Sequence, residues 1–108
     1  MNEVTKPHDW SQQLELFSKQ NLGRRTRLGV FEPNEDAVTD YWVENGLPFE
    51  EIVMEFRDGS ATIAIILRDL THTINNARKI EFHASIDRND DGLNVTDSDG
   101  RTTFLRFE

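Results

Sequence analysis

The chain contains no cysteine among its 108 residues. This absence excludes disulfide bonds, a thiol nucleophile and a thiolate metal site. Long apolar runs are also missing, because the longest one, Ile63–Leu67, is far shorter than the ~20 residues of a membrane-spanning helix. The first residues lack the apolar segment of a secretory signal. We therefore expect a soluble, cytoplasmic protein that does not bind membranes; the absence of cysteine alone would also suit a periplasmic protein.

Basic residues are scarce as well. Twelve Lys and Arg face twenty Asp and Glu, which gives a net charge of −8. Residues 1–31 carry five bases and three acids, whereas the rest of the chain carries seven bases and seventeen acids. A surface of this sign repels phosphate backbones, so we expect no nucleic-acid binding. The acidic surface either serves solubility alone or matches a basic partner.

Motifs with a known chemistry are absent too. The chain has no G-x-S-x-G, H-E-x-x-H, C-x-x-C, P-loop or G-x-G-x-x-G pattern, each of which would indicate a reaction or a cofactor. We therefore predict no catalytic residue and no cofactor, and we favour a protein that is not an enzyme.

An N-terminal amphipathic helix is predicted over residues 9–22. Its apolar residues share one face at helical spacing: Trp10, Leu14 and Phe17. Asp9 is a suitable N-cap, and Gly23 suits the left-handed turn that ends many helices. Residues 1–8 are predicted to be a disordered tail.

From residue 24 onward the sequence alternates with the period of β-strands. Three Asp-Gly pairs, at 58–59, 91–92 and 99–100, are typical of hairpin turns. Strands are predicted at 26–32, 38–43, 51–57, 61–67, 79–86, 93–96 and 102–107. We expect a turn at Asn45-Gly46 and an irregular segment over 68–77.

These elements predict the fold class. A helix followed by antiparallel strands, without alternation of strands and helices, indicates an α+β protein. We expect one domain over residues 1–108, with the helix packed on a strongly bent antiparallel β-meander or partly closed barrel of six to seven strands.

His72 is the candidate for a binding or acid–base role, because it lies in the segment predicted to be irregular. Its ring either fastens this loop to backbone groups or works with a carboxylate such as Glu50 or Glu51. Glu50 and Glu51 are adjacent, so on a strand they are expected to face opposite sides and not to form a carboxylate pair.

Arg24, Arg25 and Arg27 form a basic cluster where the helix joins the first strand. No aromatic residues are interleaved with them, and the rest of the chain is acidic. We therefore expect these residues to form ion pairs, within the chain or in a dimer, rather than to contact nucleic acid.

Residues Asp87–Gly92 match D-x-N-x-D-G, the first half of an EF-hand calcium loop. The ligands in this register would be Asp87, Asn89 and Asp91. Position twelve is Ser98, which cannot supply the usual bidentate carboxylate. An acidic turn is therefore the favoured interpretation, and calcium binding is the alternative.

Several segments resemble a family of small bacterial proteins known only as a domain of unknown function. They are Trp10, Leu14, Phe17 and Ser18 in the helix, then 47–52, 72–74 before the 79–80 strand, and the closing segment 99–107. The resemblance implies a bacterial protein of one domain without known catalytic residues. It implies no activity.

The sequence is compatible with three functions. The favoured one is a non-catalytic binding or adaptor module that acts through contacts with another protein, as a monomer or a weak homodimer. The second is an enzyme or small-ligand binder that uses the 68–77 segment with His72. The third is calcium binding at 87–92.

Overall fold

The computed structural model describes residues 2–5, 10–33, 38–83 and 91–107. The elements in chain order are β1 (Asn2–Thr5), α1 (Trp10–Asn21), β2 (Arg25–Pro33), β3 (Val38–Arg57), β4 (Ser60–Leu67), β5 (Leu70–His83), β6 (Gly92–Asp97) and β7 (Thr102–Phe107). Among these residues no helix has the length and apolar character needed to cross a membrane.

The hydrogen bonds of the sheet run in a ring. Strand β2 pairs with β3 and β7, and the pairings β3–β4, β4–β5, β5–β6 and β6–β7 complete the circle of six antiparallel strands. Strand β1 adds to the outside of this ring by pairing with β5. Register shifts interrupt four of the pairings, so the ring is not a regular barrel. The predicted α+β fold with a strongly bent antiparallel sheet is confirmed.

Two of the three Asp-Gly pairs form the predicted turns. Asp58 and Gly59 have φ angles of 55° and 80°, and Gly100 has a φ of 85°, as tight hairpin turns require. The third pair differs, because Gly92 begins β6 and is not among the residues with positive φ. A Cβ at Gly92 would overlap the carbonyl oxygen of Leu105 on β7. Glycine is needed there for close approach of two strands, not for a turn.

The turn predicted at Asn45-Gly46 is wrong. Residues 38–57 form one strand, whose first part pairs with β2 and whose second part pairs with β4. Gly46 has a φ of 105°, so its backbone can bend without ending the strand. Sequence alone cannot distinguish such a bend from a turn, because both select glycine.

The irregular segment predicted over 68–77 is also wrong. The chain turns at Asp69, whose φ is 64°, and continues as β5. Polar side chains obscure the alternation of apolar and polar residues in this segment. It nevertheless forms a strand, because the backbone groups of β4 need hydrogen-bond partners on the side that does not pair with β3. Within the predicted tail over 1–8, residues 2–5 are described, and they form β1 along β5 instead of a disordered segment.

The helix and the sheet share one core. Trp10, Leu14 and Phe17 are buried together with Ile63 and Ile65, as the helical spacing predicts. The rest of this cluster comes from β2–β7: Leu28, Phe49, Ile52, Ala61, Leu67, Ile74, Ala77, Ile80, Leu93, Val95, Leu105 and Phe107.

Helix α1 lies along β3. The amide of Ile52 donates a hydrogen bond of 2.9 Å to the hydroxyl of Ser18, and this hydroxyl donates in turn to the carbonyl of Leu14 at 2.8 Å. Just beyond the helix, the amide of Gly23 donates to the carbonyl of Phe49 at 2.8 Å. The helix therefore covers backbone groups of β3 that point away from β4, which protects this edge from pairing with another chain.

Candidate functional site

The interior of the ring is apolar in the part next to α1. The ring centroids of Phe17 lie 5.8, 5.6 and 5.6 Å from those of Phe49, Phe82 and Phe107. Phe49 and Phe107 are themselves 5.3 Å apart in an edge-to-face arrangement. These four rings, the aromatic cluster, fill their part of the interior at distances typical of favourable aromatic pairs.

Another part of the molecule is polar and not filled. A cavity of about 510 Å³ lies between β2, β5 and the β6–β7 hairpin, and we call it the polar cavity. Its polar lining includes Glu32, His72, Asn76, Asp97, Arg101 and Thr103.

The register of the sheet explains why His72 faces this cavity. His72 lies opposite Ile65, and Ile74 lies opposite Ile63. Since Ile63, Ile65 and Ile74 are buried, and alternate residues of a strand share a face, His72 points inward. Its Nε2 lies 3.5 Å from the hydroxyl of Thr103 on β7, a residue that is 2% exposed.

The pKa of His72 is lowered from its usual value of 6.5, first by burial and second by the positive charge of Arg101. Both effects disfavour the protonated ring. His72 is therefore neutral at neutral pH, with one ring nitrogen able to donate a hydrogen bond and the other able to accept one.

Asp97 organises the hairpin that forms one wall of the cavity. Its Oδ1 accepts hydrogen bonds from the backbone amides of Asp99 and Arg101, at 2.9 and 3.0 Å. The side chain replaces backbone partners within the turn, a common role for aspartate. The amide of Ser98 also donates to the carbonyl of Asn76 at 3.0 Å, which connects this turn to β5.

Arg101 and Glu32 form a second connection across the cavity wall. The guanidinium Nε lies 2.7 Å from a carboxylate oxygen of Glu32 on β2, and a second nitrogen lies 3.8 Å from Asp97. The Arg101 side chain is 48% exposed, so this pair is screened by solvent and contributes little to stability. It holds the guanidinium in a defined place beside His72.

A β-bulge shapes the remaining wall. Between Ala77 and Ile74, β5 has one residue more than β4 opposite it. Asn76 within this bulge has a φ of 56°, a left-handed conformation that asparagine tolerates better than most residues. Bulges of this kind redirect side chains at the rims of barrels. Here the bulge brings residues 72–76 to one cavity.

The structure does not place His72 with the two glutamates considered as its partners. Glu50 and Glu51 line a different groove, beside α1. The expectation that these two residues face opposite sides is wrong, because a register shift between Phe49 and Glu51 interrupts the alternation. The carboxylates that line the polar cavity belong instead to Glu32, Asp97 and Asp99.

The three arginines of the predicted basic cluster do not act as one surface. Arg24 forms an ion pair with Asp91 at 3.2 Å and lies over the ring of Phe107, 4.8 Å from its centroid. Arg25 and Arg27 alternate with the buried Thr26 along β2, so they lie on the outer face of the sheet. Arg24 thus supports the aromatic cluster from its edge.

Two of the three residues predicted to bind calcium, Asp87 and Asn89, lie outside the described residues. Asp91 is described, and its carboxylate pairs with Arg24. Within residues 2–5, 10–33, 38–83 and 91–107, no group of three or more His, Asp or Glu side chains is arranged to hold a metal ion.

No protein-family model, curated protein or solved structure matches this chain. The resemblance to a bacterial family of unknown function therefore stays a prediction.

Four members of the polar cavity could not be identified from sequence: Glu32, Asp97, Arg101 and Thr103. They come from β2 and the β6–β7 hairpin, which are distant from His72 along the chain. The one local signal was Asp97, placed two residues before an Asp-Gly pair, where aspartate commonly accepts turn amides.

Proposed function

We propose that the protein binds a small polar molecule in the polar cavity. The observation that carries this proposal is the cavity itself, about 510 Å³ in volume and lined by His72, Thr103 and Arg101. Small-molecule sites are concave, of this size range, and often lie in the mouths of closed sheets with a few convergent polar groups. This is the second of the three functions left open by the sequence.

The charges of the lining favour a ligand without negative charge. Three carboxylates, those of Glu32, Asp97 and Asp99, surround one guanidinium, that of Arg101. An anion would meet a net negative lining around a neutral His72. Hydroxyl or amine groups of a neutral or cationic ligand would find hydrogen-bond acceptors in the carboxylates and a further partner in the ring nitrogen of His72 that does not face Thr103.

Binding fits the cavity better than catalysis does. Asp97 accepts two backbone amides, Arg101 is held by Glu32, and His72 lies against Thr103. Groups committed to such contacts orient a ligand well, whereas a general base must be free to take a proton from its substrate. The bacterial source and the cytoplasmic location expected from the sequence remain part of this proposal.

The test is a titration of the protein with small molecules, in which binding is monitored by changes in the amide NMR spectrum. Three sets of small probes of similar size are compared: neutral polyols and sugars, amines, and dicarboxylates. We expect members of the first two sets to shift the amides of residues 72–76 and 97–103, and the dicarboxylates to leave them unchanged.

The variant His72→Leu, which replaces the polar ring by an apolar side chain, is expected to abolish these shifts. His83→Leu is the matched control, since His83 lies on the same strand and does not line the cavity. The proposal is wrong if no probe shifts these amides, or if the shifts persist in His72→Leu.

A further inference from the structure

A second concave surface lies between α1 and β3. This groove, which we call the α1–β3 groove, has a volume of about 510 Å³. Leu14, Ile52 and Met54 contribute its apolar floor. Leu22 and Val53, which also line it, are 68% and 40% exposed. These two apolar side chains lie in solvent beside the apolar floor, where apolar side chains of a partner can contact them.

The rim of the α1–β3 groove is acidic. The register shift between Phe49 and Glu51 brings the neighbouring carboxylates of Glu50 and Glu51 to the same groove. Glu15 and Lys19 lie on the helix side and form an ion pair of 3.2 Å. This pair balances itself, so the charge of Glu50 and Glu51 is left uncompensated among the residues that line the groove.

We propose that the α1–β3 groove binds a short segment of a partner protein that combines apolar side chains with Lys or Arg. Charge complementarity selects this occupant, because the two uncompensated carboxylates attract cations and repel acidic or phosphorylated segments. A second copy of this chain fits less well, since each copy carries a net charge of −8. The sequence favours a binding module that contacts another protein, and the α1–β3 groove would be the surface for this contact. This proposal does not depend on ligand binding in the polar cavity.

The partner binds through side chains rather than by adding a strand to β3. The amide of Ile52 is already occupied by the hydroxyl of Ser18 at 2.9 Å, and α1 lies along this edge. The exposed groups available are instead the apolar side chains of Leu22 and Val53 and the carboxylates of Glu50 and Glu51. We expect an anchoring apolar residue in the groove with basic residues at the rim.

The experiment compares two synthetic peptides of equal length and equal leucine content, one with lysine and one with glutamate at the remaining positions. Binding is measured by calorimetry, and the binding surface is mapped by amide NMR shifts, at low and at high salt. We expect the lysine peptide to shift residues 18–22 and 50–54 and to bind more weakly at high salt. The glutamate peptide should not bind.

The decisive variant is Glu50→Gln with Glu51→Gln, which we expect to weaken binding of the lysine peptide by about tenfold, as the loss of two exposed charge contacts predicts. The control is Asp58→Asn with Asp69→Asn, which removes the same charge from two turns outside the groove. Asparagine tolerates the positive φ at both positions.

Equal weakening in the two double variants would overturn the proposal, because it would show attraction by net charge alone. Binding of both peptides, or shifts confined to residues that do not line the groove, would also overturn it. His72→Leu should leave peptide binding unchanged, so failure here is distinguishable from failure of the polar cavity to bind small molecules.

Discussion

The aromatic cluster and the polar cavity are formed by the same ring of strands, yet one is filled and the other is open. Phe17 of α1 enters the ring of aromatic side chains from β3, β5 and β7. At the polar cavity no aromatic ring of α1 enters; the cavity is lined mainly by polar residues, among them His72, which contacts Thr103. The difference follows from α1, which contributes Phe17 to the aromatic cluster but no residue to the lining of the polar cavity.

The largest expected effect belongs to the filled part. Trp10 is 1% exposed and belongs to the core cluster. Replacing it by alanine should lower the free energy of unfolding by about 3–5 kcal/mol, because a large apolar side chain is lost and a cavity is left. Urea denaturation measures this change.

Leu16→Ala is the control for this variant, since Leu16 is on the same helix and 56% exposed. It should change the free energy by less than about 0.5 kcal/mol. If Trp10→Ala left the denaturation midpoint unchanged, α1 would not be a part of the core, and the contrast between the two regions would fail.

A smaller effect is expected at the wall of the polar cavity. Asp97→Ala removes the acceptor for the amides of Asp99 and Arg101, and should cost about 1–3 kcal/mol of unfolding free energy. Asp99→Ala removes an exposed carboxylate from the same turn and should have little effect. Comparable losses in the two variants, measured by urea denaturation, would show that Asp97 does not organise the hairpin.

The smallest effect is a dependence of stability on pH through His72. Burial and then Arg101 lower its pKa below 6.5 in the folded protein, so the unfolded chain binds a proton more readily. Well above pH 6.5 the ring is neutral in both the folded and the unfolded state, and His72 causes no pH dependence. As the pH falls below 6.5, the unfolded chain is protonated first and stability decreases until the folded pKa is reached.

The variant His72→Gln should reduce this loss of stability on acidification, as measured by denaturation midpoints at pH values on both sides of 6.5. His83→Gln is the control on the same strand, and this variant should lose stability on acidification to the same extent as the wild type. If the wild type and His72→Gln lost stability equally, His72 would not be held in its neutral form by the cavity.

Much of the fold was predictable because it depends on local patterns. The helical spacing of Trp10, Leu14 and Phe17 predicted α1 and its buried face. Two Asp-Gly pairs predicted two hairpin turns. Two of the errors fell in strands that change their partner: β3 passes from β2 to β4, and β5 passes from β4 to β6. Bulges and bends at such places break the alternation from which strands are recognised.

Among the residues of the polar cavity, only His72 was predicted from the sequence. Glu50 and Glu51 were predicted to face opposite sides of a strand, because the register shift that brings both to the α1–β3 groove is not visible in the sequence. The other cavity residues, Glu32, Asp97, Arg101 and Thr103, are ordinary polar residues of strands and turns until the ring closes. Their grouping depends on pairings between strands that are far apart in the chain.

The sequence by itself determined the fold class, the amphipathic helix, the absence of cysteine chemistry and the net charge, since each depends on composition or on neighbours within one element. Only the tertiary structure decided that His72 faces Thr103 and that Glu50 and Glu51 line one groove. The physical reason is that the period of a strand predicts which side chains share a face, whereas the register between strands and the position of each bulge decide which faces meet.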